Sequence, residues 1–179
     1  MIEILDQLDM LARPDLQLSW LCCAGVPYGA IAAEVIQPDR ITELSYPLMY
    51  RTVDSPTGCY DSDGRWVSRD ELISNALGER AMVHFAGGTS YLVKSGRVAG
   101  FALYGRNSHL EHFNFLRNYR EFLDYFGPPD LAQEQVAYGD LMGYDNYYRT
   151  CLKHVAWDSW SERVSLINLG EYEGNDAPR

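Results

Sequence analysis

The residues most able to do chemistry by type and spacing are His109, Glu111 and His112 in the run His109-Leu110-Glu111-His112. On a helix, positions three apart share a face, so both imidazoles could reach one metal ion. A zinc-protease motif needs histidines four apart with a glutamate beside the first, and that spacing is absent here. The chain offers no obvious third ligand, and Asn107-Ser108 ahead of His109 also reads as an ordinary helix start. No metal site and no cofactor is expected from this run.

Asp61-Ser62-Asp63-Gly64 opens like a calcium loop, but Arg65 stands at the third acidic position and no glutamate closes the loop. A turn accounts for it. Cys151 and His154 lie three apart in a β-forming run, which would send them to opposite faces and prevent a nucleophile–base pair. Ser90, Ser95 and Ser165 lack the glycine context of a hydrolase elbow, and Gly87, Gly88 and Gly96 do not make a phosphate loop or dinucleotide fingerprint. Asp140 and Asp145 carry no acid–base reading without their separation in space. No catalytic residue is assigned.

Charge is the stronger signal. The 179 residues carry 15 basic and 25 acidic side chains, a net charge of −10, together with 13 Tyr and 4 Trp. Residues 1–89 hold 6 basic and 13 acidic groups, so the N-terminal half is the anionic pole. Such a balance opposes docking on nucleic-acid phosphates or anionic lipid and favours a basic protein partner. Asp54, Asp61, Asp63 and Asp70 lie close in sequence to Tyr50, Tyr60 and Trp66. Carboxylates that steer association beside aromatic rings that supply contact area make these seven residues the expected partner-binding face. A second aromatic group, Tyr138, Tyr144, Tyr147, Tyr148, Trp157 and Trp160, belongs either to the core or to a binding platform.

These residues need elements to position them. Ile2, Leu5, Leu8 and Leu11 repeat at helical spacing up to Pro14, predicting a short amphipathic helix over residues 2–12. Residues 18–42 mix apolar residues with glycine and proline and admit either a buried strand or a broken helix. The run 43–52 has an internal Pro47 and reads as an edge strand or an extended segment rather than a central strand. Ser68 and Glu71 form a capping box for a helix that stops at Gly78. Residues 81–104 hold three apolar runs separated by Gly87-Gly88 and Ser95-Gly96, the pattern of an antiparallel meander. A helix over 117–126 ends at Gly127-Pro128-Pro129, and β runs at 147–157 and 163–169 close the chain. Gly105 to His109 reads as a hinge between layers.

The expected fold is α+β: one domain over residues 1–170, with a twisted antiparallel sheet made of the meander and a C-terminal hairpin, and helices on one side. Residues 171–179 read as a mobile tail. Cys22, Cys23, Cys59 and Cys151 read as reduced core thiols. The acidic N-terminus is unlike a signal peptide, and the apolar stretch from Trp20 to Val26 is too short to cross a bilayer, so the chain reads as cytoplasmic and not membrane-bound.

Taken together, GRVAGFALYG, FLDYFGPPD and WDSWSERVSLINLG resemble the hairpin, helix and closing hairpin of small bacterial immunity proteins that neutralise toxins. The resemblance spans Gly96 to Gly170 and implies a compact acidic protein without enzymatic activity, bound to a cognate toxin. Two functions therefore stand open. One is an acidic binding protein that neutralises a basic toxin or effector. The other is a small-molecule enzyme or ligand-binding module that uses His84, His109, His112 or His154 in a pocket, and a cavity beside a histidine is what distinguishes it.

Overall fold

The computed structural model describes residues 1–45, 59–60 and 65–172. Two antiparallel meanders join edge to edge into one eight-stranded sheet. The first runs through β7 (Arg80–Phe85), β8 (Thr89–Lys94) and β9 (Arg97–Tyr104). The second runs through β10 (Leu131–Ala137), β11 (Asp140–Tyr148), β12 (Lys153–Asp158) and β13 (Arg163–Gly170). With β4 (Ile41–Ser45), the strand order is β10-β11-β12-β13-β9-β8-β7-β4, and each neighbouring pair is antiparallel. The α+β class and the first meander follow the sequence reading; of the run 43–52, residues 43–45 lie in the edge strand β4 and the remainder, Pro47 included, lies outside the described residues.

Alternation along the strands gives the sheet two unlike faces. Ala81 and Val83, Tyr91 and Val93, Phe101 and Leu103, Val155 and Trp157, and Ile167 and Leu169 all point into the main core. Helix α2 (Arg69–Gly78) covers this face with Leu72, Ile73, Ala76 and Leu77. Ser68 Oγ accepts the Glu71 N–H at its start, as the capping box requires. Helix α3 (Tyr119–Phe126) adds Phe122 and Phe126 and ends where Gly127 takes φ +79°. Its N-terminus is closed reciprocally: Asn118 Oδ1 accepts the Glu121 N–H, and Glu121 accepts from Asn118 Nδ2, both at 3.0 Å.

The N-terminal segment departs from expectation. Residues 2–12 do not form an α-helix: β1 (Ile2–Glu3) pairs in parallel with β2 (Leu21–Cys23), and Leu8–Ala12 is a 3₁₀ helix. The apolar spacing is strictly three, which matches the three-residue turn of a 3₁₀ helix rather than 3.6. Glu3 also anchors the strand, since its carboxylate accepts the N–H groups of Ala24 (3.0 Å) and Gly25 (2.8 Å). Within residues 18–42 the chain forms the small hairpin of β2 with β3 (Val26–Pro27), followed by α1 (Ala32–Val35), a single helical turn.

The run 147–157 is also not one strand. Tyr148 ends β11, a 3₁₀ turn spans Arg149–Cys151, and Leu152 at φ +48° reverses the chain into β12. Tyr147 therefore lies directly opposite His154, and Tyr148 opposite Lys153. The expected hinge at residues 105–109 is instead pinned. Buried Asn107 donates to the Gly87 carbonyl (2.9 Å) and Thr89 Oγ1 (3.0 Å), and it caps the 3₁₀ helix Ser108–Phe113. Glu171 and Tyr172 belong to the folded body rather than to a tail: Glu171 pairs with Lys94 at 2.7 Å, and Tyr172 is buried against Leu92, Ala99 and Ala102. Among the described residues no helix is long and apolar enough to cross a membrane.

Candidate functional site

The face of the sheet turned away from the helices concentrates the polar groups. His154 is buried there, although imidazole is a polar ring that needs partners once it leaves water. Its Nε2 lies 2.7 Å from Asp145 Oδ1, and its Nδ1 lies 3.1 Å from Asn168 Nδ2. The carboxylate can only accept and the amide nitrogen can only donate, so the ring proton sits on Nε2 and Nδ1 accepts. Asp145 is held in turn by Gln135 Nε2 at 2.7 Å. The hydrogen bond from His154 keeps the Asp145 carboxyl below its ordinary range, against the opposing effect of burial. Tyr147 lies flat on the imidazole, with centroids 4.5 Å apart and planes within 13°.

This network walls a cavity of about 270 Å³. Tyr147, His154 and Asn168 form one side, Arg80 and Glu171 stand on the other, and Met82, Leu92 and Tyr172 supply apolar surface. The wall draws on β7 and β11, which are five strand spacings apart, or roughly 24 Å on a flat sheet. Both reach one small cavity because the sheet curls toward this face. Tyr172 closes the bottom of the curl, and burial pushes its phenol far above the ordinary tyrosine range.

A second histidine lies on the same face. His84 Nε2 is 2.7 Å from Ser45 Oγ, and its Nδ1 is 2.9 Å from Tyr104 Oη. Burial lowers the pKa of His84, while nearby Glu43 acts in the opposite sense. The geometry is that of a nucleophile, a base and an orienting group. However, a phenol is a stronger donor than an alcohol, which favours Tyr104 donating to Nδ1 and Nε2–H donating to Ser45. In that arrangement Ser45 is not activated.

The seven residues of the expected partner-binding face fall only in part within the described residues. Asp54, Asp61, Asp63 and Tyr50 lie outside the described residues. Tyr60 is described only as part of the two-residue strand β5 (Cys59–Tyr60), which pairs with β6 (Trp66–Val67). Trp66 is half exposed, and Asp70 is exposed in the first turn of α2, on the helix side of the sheet. His109 and His112 do not converge on a shared ion: His112 Nε2 is 2.8 Å from Asp9 Oδ1, which also accepts Tyr125 Oη at 2.6 Å. Among the described residues no three His, Cys, Asp or Glu side chains gather to hold a metal. Cys151 is buried in the turn before β12 and donates to the Tyr148 carbonyl, and burial raises its pKa. It is a core thiol, as is buried Cys23, whereas half-buried Cys22 lies outside the core and donates to Glu3 Oε2 at 3.6 Å, and the side chain of Cys59 lies outside the described residues.

Sequence reasoning named His154 as a pocket candidate but missed Asn168, Tyr172 and Arg80 and assigned His154 no partner. Only the turn at Leu152 brings Asp145 and Tyr147 beside His154. No protein-family model matches the chain, and comparison with curated proteins and with solved structures finds no match.

Proposed function

We propose that this protein is a small-ligand-binding module and that its site is the curled outer face around His154. The observation that supports the reading is a buried, fully hydrogen-bonded histidine, stacked on Tyr147 and walling a cavity of about 270 Å³. Ligand pockets combine apolar walls with a few convergent polar groups, and this one, at about 270 Å³, lies just below their usual range of roughly 300–1,000 Å³. It suits a flat, compact molecule that lies against Met82 and Leu92 and turns a polar end toward Asn168 and Arg80.

The reading is binding rather than proton transfer. Asp145 and Asn168 engage both ring nitrogens of His154, so the imidazole orders the wall instead of receiving a proton from a ligand. The test is calorimetric titration with 2-naphthoate, a flat aryl carboxylate that matches the shape. One saturable site is expected, and Met82→Arg, which fills the cavity from its half-buried position on β7, abolishes it. Equal heats from Met82→Arg and the parent, with both still folded, would rule the pocket out.

A further inference from the structure

We infer that the β10–β11 end of the sheet is a docking surface for an extended, basic polypeptide segment that adds to the sheet as a ninth strand along β10. Three observations converge on it.

The first is the edge itself. Among the described residues β10 is the outermost strand, and Ala132 to Val136 are all exposed. Natural sheets blunt such edges with lysine, proline, bulges or a covering element, because unpaired N–H and C=O groups invite another strand. Leu131–Ala137 contains no Lys, Arg or Pro and only one charge, Glu134. The irregularity in its pairing lies between Gln135 and Val136, where the register passes from Gly143 to Leu141. The extra residue, Met142, therefore belongs to β11, and β10 runs unbroken.

The second is apolar exposure concentrated at one end. Val136 is 59% exposed, Leu141 pairs with it at 38%, and Tyr138 is fully exposed in the turn between them. Trp160 is 72% exposed in the turn joining β12 to β13. That turn is fastened to the same end of β11 by the Ser159 N–H donating to the Met142 carbonyl at 2.9 Å. Tyrosine and tryptophan are the side chains that most often dominate protein interfaces.

The third is charge. Glu134, Asp140 and Glu162 stand exposed at this end, with Arg163 as the cation beside them, on a chain of net charge −10. A second copy of this chain would bring carboxylates against carboxylates. A segment carrying lysine or arginine on alternate positions would meet them in attraction, while its backbone pairs with β10. The surface combines acid and aromatic groups on residues other than those expected around Asp54 to Asp70. It does not depend on the ligand pocket.

The probe is a short synthetic peptide of alternating lysine and valine, titrated by fluorescence polarisation. Its comparators are a glutamate–valine peptide and a lysine–valine peptide N-methylated at alternate backbone nitrogens. The parent protein is expected to bind the cationic peptide, more weakly as salt rises, and to lose at least about tenfold with the N-methylated peptide because strand pairing is blocked. Trp160→Ser and Glu134→Lys, both at exposed positions, should weaken binding about tenfold, while Asp70→Lys on the helix side leaves it unchanged. The proposal fails if the cationic peptide does not bind, if the glutamate peptide binds equally, or if Asp70→Lys alone weakens binding. It fails equally if Trp160→Ser dissolves a homodimer in sedimentation, or if the parent partitions onto zwitterionic vesicles through this end.

Discussion

The ammonium of Lys153 donates to the backbone carbonyl of Leu11 at 2.7 Å, and the lysine is fully buried. The same nitrogen sits 4.3 Å above the ring of Tyr148 and 5.6 Å from that of Phe126. One residue of β12 thus ties the N-terminal segment to the sheet, through a cation held by one carbonyl and two aromatic faces.

Burial lowers the pKa of Lys153 below its ordinary value, while neighbouring Cys151 acts in the opposite sense. Between the folded-state pKa and about 10.4, the unfolded chain binds more protons than the folded one, so stability rises with pH across that window. Lys153→Met should flatten this rise and leave stability at pH 7 within about 1 kcal/mol of the parent, since removing the buried charge offsets the unpaired carbonyl. Lys153→Ala leaves a cavity instead and should cost about 2–5 kcal/mol. Denaturant unfolding from pH 7 to pH 11 measures both.

Asp145→Asn tests the wall of the pocket. The His154 hydrogen bond depresses the Asp145 pKa, so the carboxylate stabilises the fold above its ordinary titration range, and that contribution is lost as pH falls through the lower folded value. The variant should be weaker by about 1–3 kcal/mol at pH 7. The gap between the two proteins should narrow as pH drops below about 3.9. A gap that widens in acid would mean the pair does not act this way.

Gly100 is the tight point on the curled face. A Cβ there would lie 2.6 Å from Tyr172 Cε2 and 2.7 Å from the Leu169 carbonyl oxygen. The ring can shift, but the Leu169 backbone is held in β13 beside β9. Gly100→Ala should therefore cost about 1–3 kcal/mol. In a double-mutant cycle with Tyr172→Ala only part of that cost should disappear, because the clash with the carbonyl remains.

Tyr172 joins the end of the described chain to the outer face. Tyr172→Ala should cost about 3–5 kcal/mol, as for other buried aromatic truncations, and should raise the fluorescence of an apolar dye by exposing Leu92 and Ala102. An unchanged melting temperature would show that this residue does not hold the curl.

Where local rules dominate, the sequence is legible. Ser68 with Glu71 marks the start of α2, Gly127 the end of α3, and Gly87-Gly88 and Ser95-Gly96 the turns of the first meander. The hairpin of β10 and β11 escapes the same reading because the centre of Leu131–Ala137 is polar, Gln133-Glu134-Gln135, and the strand has a single β-branched residue. Its one local signal is Tyr138-Gly139, where both residues take positive φ, +55° and +88°.

Composition and periodicity alone settle that this chain builds an α+β body with a large apolar core and an anionic surface, because each depends on residue type and near-neighbour spacing. Which side chains meet on the outer face is decided by tertiary structure. Leu152 in a left-handed conformation turns an apparently continuous strand into two, and that reversal sets Tyr147 and Asp145 beside His154. The curl then brings Arg80, some 70 residues earlier, to the same cavity. No spacing in the chain encodes that meeting, since it arises from the summed twist and packing of six strands.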